Sequence, residues 1–345
     1  MAALALGTSL TLAELVRRED PNGRLADIVN QISEVNAIIP DATWIQCNNG
    51  TYHEDTRRAS EPSGSERAYD MGVTKEAGVT EKVTEPTCML DGLSEVDVAK
   101  IRHTPDPAGT RSTEDAFFLD GMTKTLASRM ISGDRSANSL RINGINSRAD
   151  YDALADAYTF DNAGGNASAT ENKTSIYIIQ WGAKMVNMIY PRNDAPAGGA
   201  LPIRMDDYGK QMIQEAGAAG TAGRKYPAYQ TWFEIHFGLF IHDPRCIKRI
   251  VNISTSNIDG VDDFGFDEDV LIDAYNELEY NGKGAAIYCN RTIFAQIQKR
   301  ANEKGNAVYS QQMEGEGPFA KKVIRFWGMP VREVAQIANT GAQIT

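Results

Sequence analysis

Residues 51–70 read TYHEDTRRASEPSGSERAYD, and they sit inside a forty-residue run, Asn48 to Thr87, that contains no Leu, Ile, Phe or Trp. Thirteen of those forty residues are Asp, Glu, Lys or Arg, so the run cannot bury a core of its own. Its centre, Ser60-Glu-Pro-Ser-Gly-Ser-Glu66, has the composition of a turn. Its flanks, for example Val79-Thr-Glu-Lys-Val83, carry β-compatible side chains. Two readings fit: a disordered polar segment, or a long two-stranded hairpin with a polar tip. An isolated two-stranded ribbon is marginal in water. An ordered one must therefore be held by something outside its own fold, and a neighbouring subunit is the simplest candidate.

The surroundings are ordinary by comparison. Upstream, Thr11-Leu-Ala-Glu14 forms a capping box, and Leu12, Leu15 and Val16 give the short helix it opens one apolar stripe. Asp20-Pro21 ends that helix, and a second follows with Leu25, Ile28, Val29, Ile32 and Ile39 on one face. The pair either packs on its own domain or forms an arm on a neighbour. Downstream, Phe118, Met122, Leu126 and Met130 fall four apart over 111–133. That spacing predicts a helix about 30 Å long, with Ser112 as cap and Gly133 as stop. TSIYIIQWGAKMVNMIYP (174–191) reads as two apolar strands joined by the three-residue loop Gly182-Ala-Lys184. The stretches 162–173 and 192–227 read as Asn/Gly-rich connectors. YQTWFEIHFGLFIH (229–242) alternates apolar and polar throughout, which predicts one strand near 46 Å at ~3.3 Å per residue. An acidic helix then opens at Asp267, a buried strand covers Ala285–Cys289, and Asn290 caps a helix bearing Ile293, Phe294, Ile297 and Ala301.

At 345 residues the chain is long enough for two or more compact units, and the mixture of elements is α+β. Its 42% hydrophobic and 23% charged residues are average globular usage, and the net charge of −11 argues against nucleic acid as the main ligand. Cys47, Cys88, Cys246 and Cys289 lie far apart without a CxxC pair, as buried reduced thiols do. The opening has no basic signal-peptide region, and no window approaches the ~18 apolar residues of a membrane span.

Candidate chemistry fails on geometry. Gly217–Lys225 lacks the first glycine and the Gly-Lys-Ser/Thr of a phosphate loop, and Asp263-Phe-Gly265 has no kinase companions. His236 and His242 would lie ~20 Å apart on a strand, too far for one metal ion. His53 and His103 lack acidic or cysteine companions in a metal pattern. The acids at Asp262-Asp263 and Asp267-Glu268-Asp269 suit a helix N-terminus. No catalytic, cofactor-binding or metal-binding residue is assigned, and no enzyme activity or cofactor is expected.

Six segments, taken in order, resemble the major capsid proteins of tailed bacteriophages, closest to the short-tailed branch. They are LTLAELVRREDPNGRLADIV (10–29), DATWIQCN (41–48), MLDGLSEVD (89–97), the 174–191 pair, YQTWFEIHFGLFIHDPRCIKRIVNI (229–253) and FWGMPVREVAQI (326–337). The resemblance implies the Johnson (HK-97-type) fold. It would place an N-terminal arm at 1–40 and an extended β-hairpin loop at 41–92. A peripheral domain would cover 93–173 with its long spine helix at 111–133. An α/β axial domain would occupy 174–225 and 255–325, separated by a long peripheral strand at 226–254, with a C-terminal return strand at 326–345.

By the same resemblance, copies would assemble into pentamers and hexamers of an icosahedral head enclosing double-stranded DNA, without a membrane. The interface candidates are Leu12, Leu15 and Val16 in the arm and Arg57, Arg58, Glu61, Glu66 and Arg67 in the loop, where charge can select partners. Expected partners are the protein itself, a portal protein, a decoration protein in phages that carry one, and packaged DNA by proximity alone. A separate scaffolding protein is also expected, because only about forty residues precede the loop. The place would be the virion capsid, assembled in the host bacterial cytoplasm. Two alternatives stand beside this: a decoration protein on a preformed shell, and an α/β hydrolase using carboxylates.

Overall fold

The computed structural model describes residues 36–104, 106–165, 172–192, 203–214, 223–255, 264–302, 309–314 and 321–345. Leu12, Leu15 and Val16, with both terminal helices apart from Ile39, lie outside them. In chain order the first elements are α1 (Ile38–Asp41), β1 (Trp44–Gln46), β2 (Tyr52–Ser60), β3 (Val79–Pro86), β4 (Cys88–Asp97), α2 (Val98–Ile101) and α3 (Pro107–Ser132). Then come β5 (Thr159–Asp161), β6 (Lys173–Gln180), β7 (Val186–Tyr190), β8 (Ile203–Gln214), β9 (Lys225–Ile241) and β10 (Ile247–Ser254). The last are α4 (Glu268–Asn276), β11 (Ala285–Cys289), α5 (Arg291–Ala301), β12 (Tyr309–Glu314), β13 (Lys321–Phe326) and β14 (Met329–Glu333). Among the described residues, contacts divide the chain into two compact units, one with 89–126 and 203–236, the other with 36–88, 127–192 and 237–345.

In the first unit, the α3 residue Phe118 stacks on Phe233 of β9 with ring centroids 6.1 Å apart. Gly92 of β4 faces the same helix, and a Cβ there would come within 3.1 Å of Met122 Sδ. Arg111 donates to Asp207 of β8 at 2.8 Å and lies 4.6 Å over the Tyr229 ring. The helix begins at Pro107 rather than near Ser112: Asp106 accepts the Gly109 amide at 3.0 Å, and a proline loses nothing in a helix's first turn. The expected connector 192–227 contains a twelve-residue strand, β8, paired antiparallel with β9. Most of the β8 side chains are exposed, so its sequence lacks the alternation that betrays a half-buried strand.

The second unit is built on a seven-stranded mixed sheet in the order β12-β13-β14-β11-β6-β10-β5. Every residue of β6, β10 and β11 is buried, as central strands covered on both faces must be. Leu271 and Ala274 of α4 and Ile293 and Ile297 of α5 pack with Ile176, Ile178, Ile250 and Ile287 of the sheet into one core cluster. Both helices open where the sequence predicts. Asp267 accepts the Asp269 amide at 3.0 Å, and Asn290 accepts that of Ile293 at 2.9 Å. The β13–β14 hairpin turns through Trp327 and Gly328, both at positive φ, the backbone of a type I′ turn.

The two strands joined through Gly182-Ala-Lys184 form as expected but belong to different sheets. Strand β6 is already bonded on both edges, by β10 and β11, so β7 leaves and pairs instead with β1 and with the end of β9. At the far side of the sheet, Asn252 sits in a β-bulge at φ 61 and grips the C-terminal segment, donating to the Ile344 carbonyl at 3.0 Å and accepting its amide at 2.9 Å.

Asn290 serves three partners, because its amide nitrogen also donates to Thr174 Oγ1 at 2.6 Å and to Asn339 Oδ1. Asn290→Ala should therefore lower unfolding stability by about 2 kcal/mol, the upper end for a lost cap, read as a shift in the urea midpoint at unchanged slope.

Candidate assembly surface

The charge-rich stretch forms an antiparallel ribbon: β2 and β3 pair from Tyr52 opposite Pro86 out to Ser60 opposite Val79. Its two halves have different surroundings. The lower half is seated on the rest of the second unit. Val83 packs on a cluster of Cys47, Ile189 and Phe240. His53 meets the Phe240 ring edge-on at 4.6 Å. Asp55 pairs with His242 at 2.6 Å, and Glu85 pairs with Arg148 at 2.6 Å. The Arg148 guanidinium also donates to the carbonyl of Leu239 at 2.9 Å, tying the ribbon to β9.

Gly238 makes this seat possible. A Cβ there would stand 2.7 Å from Ile189 Cγ1 and 2.9 Å from the Pro86 carbonyl oxygen, closer than real side chains approach. Only glycine lets the end of β3 lie this near the long strand. The expectation that the ribbon is held solely from outside the chain is thus corrected. Its base rests on its own body, because a polar strand can be ordered through ion pairs and ring contacts that an apolar census does not count.

The upper half and tip have no such cover. Every residue from Arg58 to Lys82 is exposed. The pairs there are internal to the ribbon: Arg57 with Glu81 at 2.9 Å, Lys82 with Glu54 at 2.7 Å, and Arg58 with Glu61. At the tip, Arg67 donates to the Met71 carbonyl at 2.9 Å, and Glu66 stands exposed. Set among these charges are Tyr69 at 100%, Met71 at 62% and Val73 at 63% exposure, a small apolar group facing solvent. A cleft of about 570 Å³ lies between the upper ribbon and the body, with Arg57, Arg58 and Glu81 on one side and Asp150, Asp243 and Arg245 on the other.

Burial pushes the Cys47 and Cys88 thiols up to about 11 and that of Cys246 up to about 12, so they stay protonated and poorly nucleophilic. Burial and the charge of Glu234 raise the Asp91 carboxyl, and the nearby His236 is engaged with Glu234 at 2.7 Å. Among the described residues no group of three His, Cys, Asp or Glu could hold a metal ion, and no helix is long and apolar enough to cross a membrane.

The comparisons show that the chain has the HK-97-type capsid fold. The structure of bacteriophage epsilon15 derived from cryo-electron microscopy contains a chain 30% identical to this one, covering 99% of each chain with a TM-score of 0.73. The bacteriophage JBD30 capsid gives 11% identity over 96% of each chain at a TM-score of 0.45. The capsid of Myoviridae phage XM1 gives 10% identity over 66% of this chain and 95% of that one, at 0.43. No curated protein sequence matches this chain. The family model for major capsid protein GP7 matches residues 20–345, and the chain belongs to that family. It is a structural protein of an icosahedral bacteriophage capsid, located in the virion shell and assembled there with copies of itself.

Of the candidates chosen from sequence, Arg58, Glu61, Glu66 and Arg67 stand on the exposed upper ribbon and tip with Arg57, part-buried, at its lower end; all but Glu66 are already engaged within the ribbon. The seat residues His53, Asp55, Glu85, Arg148 and His242 were not among them. The one signal available was Gly238, a glycine inside an alternating strand, which marks close approach of another backbone.

Gly238→Val should displace Pro86 and cost about 1–3 kcal/mol through overpacking. Arg148→Met should cost roughly 3 kcal/mol by leaving Glu85, at 12% exposure, without its cation. The double variant with Glu85→Gln should recover part of that loss. Urea denaturation of the three variants checks all of these.

Proposed function

We propose that the ribbon is the lacing element of the shell, and that its upper half acquires its cover from an adjacent subunit. The observation that carries this reading is the contrast along one hairpin: a seated base and an exposed tip bearing Tyr69, Met71 and Val73. Burying each of those side chains would contribute about 2 kcal/mol. Arg57, Arg58, Glu61, Glu66 and Arg67 then select the partner by complementary charge, together with Leu12, Leu15 and Val16 from the N-terminal arm. Until assembly the dense charge keeps an open strand edge from pairing indiscriminately.

In this reading 1–40 is the arm and 41–92 the extended loop. The peripheral domain is 93–173 with the long strand 226–254, the axial domain is 174–225 with 255–325, and 326–345 returns. Subunits group into pentamers and hexamers in the host bacterial cytoplasm, around a portal protein and on a separate scaffolding protein. A decoration protein attaches afterwards in phages that carry one. The chain acts through contacts, with no chemistry of its own.

Replacing 61–78 by an Asn-Gly turn should leave a soluble, folded subunit that forms no closed shells when co-expressed with its neighbouring genes. Negative-stain microscopy reads the result, and normal shells from that variant would overturn the lacing role.

A further inference from the structure

The lower ribbon is fixed to the body at two posts, one on each strand. On β3, Glu85 meets Arg148 at 2.6 Å, and the same guanidinium holds the carbonyls of Leu239 at 2.9 Å and Asn143 at 3.1 Å. On β2, Asp55 meets His242 Nδ1 at 2.6 Å. Beside this second post is a cluster of three rings. The Phe240 centroid lies 4.6 Å from that of His53 and 4.5 Å from that of His242, and the two imidazoles are 5.9 Å apart. We propose that the two posts respond differently to acid, so that the seat is an asymmetric hinge: its β2 side opens as pH falls through the histidine range while its β3 side holds.

The argument rests on where a new positive charge would be placed. Arginine keeps its charge at every accessible pH, so the β3 post has no switch in that range. His53 differs because both nearby carboxylates are already committed, Asp55 to His242 and Glu85, its register partner, to Arg148. Its Nδ1 is buried without a hydrogen-bond partner. Of the remaining groups only the Gln46 backbone offers it a hydrogen bond. The Cys47 thiol is pushed up to about 11 by burial and stays neutral. Asp243, next to His242, is drawn up by burial, but the hydrogen bonds from Arg245 outweigh this and hold it low, paired to that guanidinium. A positive charge on His53 would face the His242 ring 5.9 Å away.

The balance at His53 follows this geometry. Burial and the charge of His242 push its titration below the usual histidine value, against the opposing pull of Asp55 and the Gln46 backbone. The Phe240 ring would attract a charged imidazole, but the net direction is downward. A base whose folded value lies below its unfolded value near 6.5 favours the fold in its neutral form. That contribution is complete above about 6.5 and is lost as pH falls through the lowered folded value. The Asp55 carboxyl is pushed up by burial, yet hydrogen bonds from His242 and the Thr56 amide bring it below the ordinary range. It therefore keeps its charge, and the pair with His242, while His53 titrates.

Hydrogen exchange on the full, unassembled chain tests this, with rates converted to protection factors at about pH 7.5 and about pH 5, on either side of the histidine range. Protection across 52–56 should fall by about tenfold at the lower pH, while the buried strands β6 and β10 keep theirs. His53→Phe should flatten that dependence. Arg148→Met should weaken protection over 83–86 equally at both pH values. Equal wild-type protection of 52–56 at both, or an undiminished loss in His53→Phe, would overturn the proposal. Should His53→Phe fold poorly, ring-carbon NMR titration of the four histidines, assigned with His53→Gln, decides instead. A His53 titrating at or above an ordinary histidine sinks the idea. The measurement needs no shell, so it stands or fails separately from the lacing role.

Discussion

A ribbon almost free of large apolar side chains becomes rigid only where another surface excludes water from its ladder, and Gly238 is where this chain supplies that surface. The alternation of β9 puts Phe237, Leu239 and Ile241 on one face. The missing side chain at 238 then opens a place for the Pro86 carbonyl beside Ile189. Once the backbones are that close, Arg148 can span from Glu85 to the Leu239 carbonyl, and Val83 can reach the Cys47–Ile189–Phe240 cluster. Without the close approach, each of these contacts would be an exposed pair worth at most about 1 kcal/mol. The glycine costs a strand some stability by itself, and here the loss is offset by the contacts of Glu85, Arg148 and Val83.

How much of this was legible in the sequence depends on the range over which each signal acts. Strand β9, the buried strand Ala285–Cys289 and the helices capped by Asp267 and Asn290 were readable because their signals lie within a few residues: period-two alternation, an apolar run, a side-chain cap. Strand β8 was not, since with both faces largely in water it has no apolar period to show. The Gly182-Ala-Lys184 loop gave a true local turn, but which sheet the next strand joins is settled by β10 and β11 occupying both edges of β6. The seat is the extreme case. Asp55 and His242 are 187 residues apart, and Glu85 and Arg148 are 63 apart. Nothing in either neighbourhood marks them as partners.

The ribbon's composition reads differently once its two halves are distinguished. Its charge has one meaning below and another above. Below, Glu85, largely covered, and Asp55, more exposed, are anchors whose partners come from the body, so they fix the direction in which the hairpin leaves. Above, Arg57, Glu81, Glu54 and Lys82 pair across the ladder and stiffen it without consuming any surface of the body. A lever needs both: an anchor that resists bending and an arm that keeps its own shape.

The apolar group at the tip is small for a physical reason. Tyr69, Met71 and Val73 together could release about 6 kcal/mol on full burial, and association itself consumes an estimated 4–15 kcal/mol in lost translational and rotational freedom. A single tip contact is therefore too weak to hold two free subunits together. In the proposed lacing role it would become effective only when the partner is already positioned by other contacts, as in a closing ring or shell, where the entropic cost has been met once for the whole assembly. A larger apolar tip would bind before that point and trap open aggregates. A fully charged one would add nothing after it. The three residues, set among charges on a ribbon aimed by its seat, fall between those limits.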